Sequence, residues 1–266
     1  ATSFRAMPRT DLRDSELVFV GYGINAPEKG WNDYAGIDMR GKTAVILIND
    51  PDYEQAGLKG PFNGRAMTYY GRWTYKYEEA ARQGAKGCLV IHNSVPAGYG
   101  FWVLQNGWNS PHMYLDPRGK SKYYCEGVGW LSMPATEKLF EAAGLDFNDW
   151  QSKARQRGFK GTRMGVSVST SMKVKSSYGK TYNAIAKITG STRPEEYIVY
   201  TAHWDHLGVG KPDASGDSIY NGAVDNGGGG AMLLEIAKAF SVLKNKPERT
   251  VVFLAVTAEE QGLWGS

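Results

Sequence analysis

Tyr197-Ile198-Val199-Tyr200-Thr201-Ala202 reads as a buried strand, and it runs directly into His203-Trp204-Asp205-His206. Downstream, Val251-Val252-Phe253-Leu254-Ala255-Val256 reads as a second strand that ends in Thr257-Ala258-Glu259-Glu260. Between them lies a glycine-rich turn, Gly222-Ala223-Val224-Asp225-Asn226-Gly227-Gly228-Gly229-Gly230. The stretch from Gly230 to Leu243 then carries Leu233, Ile236, Ala237 and Phe240 at helical spacing. A strand, a helical crossover and a second near-continuous apolar strand make a βαβ unit with parallel strands. Open parallel sheets place their sites outside the carboxyl ends of the strands. His203, Glu259 and Glu260 fall at those ends, and Asp225 sits on the connection. The pattern implies a hydrolytic metal centre.

Composition narrows the alternatives. The 266 residues suffice for one large domain or two ordinary ones, and 42% hydrophobic with 22% charged residues is normal for a globular protein. A net charge of +4 is scattered, with no Lys/Arg block, so nucleic acid is not expected as a partner. No apolar run approaches a membrane span. Ala1-Thr2-Ser3-Phe4 lacks the charged start and apolar core of a signal peptide; a cleaved signal leaves such a start, as does an arbitrary chain boundary. Periplasmic or secreted residence is the expectation. Cys88, in the apolar run Gly87-Cys88-Leu89-Val90-Ile91, is expected as a buried free thiol rather than a disulfide partner of Cys125.

Residues 1–14 are polar and aperiodic and read as a tail or a leftover connection. Leu17-Val18-Phe19-Val20 and Thr43-Ala44-Val45-Ile46-Leu47-Ile48 are short strands bounded by turn formers. Tyr75 to Arg82 reads as a helix, followed by a strand from Cys88 to His92. Tyr69, Tyr70, Trp73, Tyr75, Tyr77, Tyr99, Phe101, Trp102 and Trp108 crowd this region, either as ordinary packing or as a lid that walls a substrate cleft. Pro134 to Ala143 opens as a helix with Thr136 as N-cap. Val166-Ser167-Val168-Ser169 and Met172-Lys173-Val174 alternate like two strands with one wet face, and Tyr182 to Ile188 is one more strand. Ser176 to Lys180 interrupts the strands and marks a domain boundary.

Each site residue has an ordinary reading beside the chemical one. His203 stands just past its strand, where an imidazole ligand is directional, and Asp205 could accept the proton of its far ring nitrogen. His206 could face the cleft or simply pack. Asp225, flanked by glycines at a helix start, could bind metal or cap the helix. Two adjacent acids after an apolar strand are costly to bury unless metal neutralises one and the other titrates as a base. The neighbouring glycines form no phosphate loop, because no Lys-Ser/Thr follows, and Gly21-Tyr22-Gly23 completes no dinucleotide fingerprint.

His203-x-Asp205, Val224-Asp225-Asn226-Gly227 and Ala258-Glu259-Glu260-x-Gly262 resemble the motifs of the M28 family of di-zinc peptidases, the aminopeptidase and carboxypeptidase-like group. The stretch from Phe19 to about Val174, with Thr68-Tyr69-Tyr70-Gly71-Arg72-Trp73 and Tyr77-Glu78-Glu79-Ala80-Ala81, resembles the protease-associated (PA) domain inserted in many bacterial members. The resemblance implies an α/β chain: a partial mixed or parallel peptidase sheet over 179–266 and a β-rich α+β PA domain over 15–178. It implies that His203 ligates one zinc, Asp225 bridges both, Glu260 ligates the other, Glu259 is the general base and Asp205 orients His203. Two such ions lie about 3.5–4 Å apart and clamp the attacking hydroxide and the carbonyl oxygen. Removal of an N-terminal residue from a peptide is the implied reaction.

Family members also supply an acid and a histidine after the Glu-Glu motif, and a peptidase segment ahead of the PA domain. Neither is found between Glu260 and Ser266 or before Ser15. The expectation is therefore a fragment with weak or absent zinc, inactive as it stands, whose open sheet edges invite self-association. A competing expectation is a non-catalytic PA-type module that binds peptide or acts as a lid on a peptidase-like scaffold. A transferrin-receptor-like protein without chemistry fits less well, because His203, Asp225, Glu259 and Glu260 all remain.

Overall fold

A computed structural model describes residues 1–5, 7–108, 113–118 and 124–266. The chain divides into two compact units, one of Ala1–Pro111 and Asp116–Ser177, the other of His112–Leu115 and Tyr178–Ser266. Both mix strands and helices, so the fold is mixed α/β.

The first unit runs β1 (Arg9–Phe19), a short pair β2 (Asn25–Ala26) and β3 (Trp31–Asn32), β4 (Thr43–Leu47), α1 (Trp73–Arg82), β5 (Gly87–Ile91), α2 (Ser94–Ala97), α3 (Phe101–Gly107), β6 (Gly127–Leu131), α4 (Met133–Ala142), α5 (Phe147–Ala154) and β7 (Thr162–Lys173). Its five-stranded sheet has the order β6-β5-β4-β1-β7. The first four strands of that order are parallel, and β7 closes the edge antiparallel to β1. Every residue of β4 is buried, as expected of a central strand covered on both faces. Phe19, Tyr22, Val45, Phe62, Tyr75, Phe140 and Phe147 fill the core.

Three expectations are corrected here. Residues 9–14 are not a tail: Arg9 to Leu12 pair with Lys173 to Thr170. The segment gives little apolar signal because only Thr10, Leu12 and Ser15 turn inward, while its partner lies about 160 residues away. The two strands read over 166–174 are one, β7, its alternation continuous through the intervening polar residues. Helix α4 is capped by Ser132, which accepts from Ala135 N, whereas Thr136 is buried and donates its hydroxyl to the Ser132 carbonyl at 2.9 Å.

The aromatic crowd packs largely on itself. Tyr75 and Tyr77 are buried. Tyr69 and Tyr70 meet the Tyr75 ring at 5.6 and 5.0 Å, and Trp73 meets Tyr77 at 5.7 Å, all edge-on. Cys88 and Cys125 are both buried free thiols, and burial pushes the latter up to about 12. Lys76 is fully enclosed and donates to the carbonyls of Tyr22 (2.6 Å) and Asn49 (3.0 Å). Asp33, equally enclosed, accepts from Ile24 N and Trp31 Nε1. No helix among the described residues is long and apolar enough to cross a membrane.

The second unit runs β8 (Ala184–Ile188), β9 (Arg193–His203), the small pair β10 (Gly208–Val209) and β11 (Ile219–Tyr220), α6 (Gly228–Ser241) and β12 (Arg249–Val256). Strand β12 is central, antiparallel to β8 and parallel to β9, which makes β9-α6-β12 a parallel crossover. Leu233, Ile236, Ala237 and Phe240 of α6 pack with Tyr200, Ala202, Val251 and Phe253. One expectation fails: Tyr197, Ile198 and Val199 are 62%, 41% and 53% exposed, so this part of β9 is not buried. Helix α6 covers Tyr200 and Ala202, and among the described residues nothing covers Tyr197 and Val199 comparably.

Candidate metal centre

The parallel register decides where the chemistry collects. Val256 stands opposite His203, so β9 and β12 leave the sheet at the same level. Trp204 N donates to the Val256 carbonyl at 3.0 Å and ties the two exits together. Ala258 then takes a left-handed conformation (φ 55°), which costs a β-carbon residue about 1 kcal/mol and turns the chain back. Glu259 and Glu260 thereby return towards the end of β9.

Asp205 holds that turn. Its carboxylate accepts from Glu259 N at 3.1 Å and from Glu260 N at 3.4 Å. This corrects the expected contact with the imidazole. His203 Nδ1 lies 3.0 Å from the main-chain oxygen of Asp205 and 3.9 Å from its carboxylate. The carboxylate instead satisfies the two amides of the turn at 259–260.

On the other side of the ring, His203 Nε2 is 3.0 Å from Asp225 Oδ1 and 3.8 Å from Glu259 Oε2. Asp225 is free for this because it does not cap α6. Gly227 stands at the N-cap, and Asn226, one residue before it, accepts from Gly229 N through Oδ1 at 3.0 Å. A β-carbon at 229 would lie 2.1 Å from that oxygen, so glycine is what lets the side chain approach. Glu260 takes another partner, with Oε1 2.7 Å from His206 Nδ1. That pairing, across 54 residues, has no sequence signal beyond the presence of a second imidazole at the strand end.

Ligand-type atoms of His203, Glu259 and Glu260 lie within 4.8 Å of one another, and Asp225 shares the His203 nitrogen. The structure thus brings together all five residues singled out from the sequence: His203, Asp205, Asp225, Glu259 and Glu260. One imidazole nitrogen with several carboxylate oxygens and no thiolate is a donor set that suits zinc. Around a tetrahedral zinc with bonds of about 2.0–2.1 Å, ligand atoms sit roughly 3.3 Å apart, a modest contraction of this cluster.

The electrostatics agree with the chemistry. Burial works to lower the His203 pKa, but the Asp205 carbonyl and the carboxylates of Glu259, Asp225 and Asp205 outweigh it and hold it above the usual imidazole range. Burial raises the Glu259 carboxyl, against the opposing pull of His203, with Glu260 and Asp225 adding repulsion.

The sequence model described as peptidase family M28 matches residues 183–266. Carboxypeptidase Q of Bos taurus is 34% identical over 250 residues, 89% of this chain and 44% of that protein. A probable zinc metalloprotease of Pyrenophora tritici-repentis (strain Pt-1C-BFP) is 32% identical over 145 residues, 53% of this chain and 30% of that protein. The chain therefore spans less than half the length of either relative. Among solved structures, an aminopeptidase from Aneurinibacillus sp. strain AM-1 aligns over 97% of this chain and 45% of its own, at 21% identity and a TM-score of 0.38. The strand-end motifs of 203–206 and 258–262 lie inside the stretch of 183–266 that matches the model of peptidase family M28.

Proposed function

We propose that this chain carries the zinc-binding half-site and the general base of an exopeptidase, an aminopeptidase by preference, with residues 15–178 forming a PA-type domain. The observation that carries the reading is the convergence of His203 with Asp225, Glu259 and Glu260 at the shared end of β9 and β12.

In this reading His203, Asp225 and Glu260 would hold zinc. Bound zinc would supply Lewis-acid polarisation of a peptide carbonyl and a water acidic enough to react near neutral pH. The remaining chemistry belongs to side chains. Glu259 lies in the cluster but is the carboxylate that burial raises, which suits it to take a proton from water and pass it to the departing amine. Glu260 is anchored by His206 and stays in place as a ligand. Asp205 fixes the relation of Glu259 to His203 by holding the amides of the acid pair. The peptide is the substrate.

The test is hydrolysis of aminoacyl-arylamides by the zinc-loaded full-length protein. Loss of a general base costs about 10²–10⁴-fold, so Glu259→Gln should lower kcat by at least a hundredfold while zinc content stays unchanged. Retained activity in that variant would refute Glu259 as the base.

A further inference from the structure

The contact between His206 and Glu260 has a geometry of its own. His206 leaves β9 three residues after His203 and brings Nδ1 to 2.7 Å from Glu260 Oε1. The two side chains are only 23% and 15% exposed, so water screens the contact less than it would a surface pair. The imidazole is seated by two further residues. Tyr220 of β11 meets it edge-on at 6.5 Å, and Gly222, with φ 64°, leaves space beneath it. A β-carbon at 222 would stand 2.8 and 2.9 Å from His206 Cγ and Cβ, closer than side-chain atoms approach. Glycine there serves the backbone conformation and the ring together.

We propose that His206 is a positioning residue that donates its Nδ1–H to one oxygen of Glu260, fixing the carboxylate rotamer so that the second oxygen is presented to zinc. The inference rests on the proposed role of Glu260 as a ligand. A carboxylate with free rotation must lose rotamer entropy on binding a cation; one already held at one oxygen has less to lose, and its free oxygen has a defined direction. Partners of this kind are typically worth 10–100-fold in metal affinity. The segment 203–206 then controls the acid pair at two points, Asp205 through the main-chain amides and His206 through the Glu260 side chain.

The experiment is zinc titration of the purified full-length protein against a chromophoric chelator, for the wild type and for His206→Asn and His206→Ala. The asparagine amide nitrogen occupies nearly the place of Nδ1 and keeps the donor, while alanine removes it. The expected result is a 10–100-fold weaker Kd in His206→Ala and recovery to within about threefold of wild type in His206→Asn. Equal loss in both variants would overturn the inference by making His206 itself a ligand, and no change in either would overturn it by making the contact incidental. Absence of zinc binding by the wild type would instead overturn the proposed function, and this inference with it. Thermal melts without zinc separate misfolding from the effect sought, because the expected alanine loss appears against an unchanged zinc-free melt.

Discussion

Replacing Asp205 with alanine removes the acceptor for two main-chain amides and leaves His203 Nδ1 its principal contact, the Asp205 carbonyl. The size of the effect follows from the distances. A hydrogen bond to a charged acceptor contributes about 1.5–3 kcal/mol. The bond from Glu259 N, at 3.1 Å, counts in that range, and the one from Glu260 N, at 3.4 Å, lies at the limit of useful geometry. With the side chain 17% exposed and partly screened, the sum is about 2 kcal/mol for Asp205→Ala. Asparagine keeps an oxygen for Glu259 N and should lose about half as much. Hydrogen exchange at the Glu259 amide reads this locally: the alanine variant should exchange roughly thirtyfold faster, the asparagine variant about fivefold. The His203 titration should remain elevated in both, because the Asp205 carboxylate is the smallest contributor to it. If the Glu259 amide stays protected while the His203 pKa falls towards its ordinary value, Asp205 acts on the imidazole after all and the geometric argument is wrong.

Zinc must displace the proton on His203, whose pKa is held above the imidazole norm, so apparent zinc affinity should fall by up to tenfold per pH unit below that pKa; a titration series from pH 8 to 5 checks it. Leu233→Ala, at a buried position under β12, should destabilise the second unit by about 2–5 kcal/mol in urea unfolding. In the first unit Lys76 is lowered by burial from 10.5 to about 8, so its neutral form favours folding and stability should rise by about 3 kcal/mol between pH 8 and 10.5. Asp33, raised by burial from 3.8 to about 7, acts in the opposite sense: stability should fall by about 4 kcal/mol as pH climbs through that window. Urea midpoints across pH read both effects, and Lys76→Met should flatten the alkaline rise.

What the sequence made legible was local and periodic. The apolar run from Val251 to Val256 and the 3.6-residue spacing of α6 led directly to a parallel crossover, and the crossover placed His203 and the acid pair at one end. What escaped depended on partners distant in the chain. Residues 9–14 become strand only because β7 pairs with them, and no pattern within them announces it. Thr136 resembled an N-cap on residue type alone, but the helix begins at Met133, and Ser132 takes the position. Adjacency in the sequence points Asp205 at the ring of His203. In three dimensions the amides of residues 259 and 260, more than fifty positions on, are better placed to use its charge. The exposure of Tyr197 and Val199 likewise reflects which face α6 covers, and apolar composition carries no such information.

The account stands on His203, Asp225 and Glu260 sharing a cation beside Glu259. Anomalous diffraction at the zinc edge from zinc-soaked crystals tests this most directly. The predicted result is a peak about 2.0–2.1 Å from His203 Nε2 with carboxylate oxygens of Asp225 or Glu260 at similar distance. A peak elsewhere on the chain with none at this cluster, at saturating zinc, would contradict it.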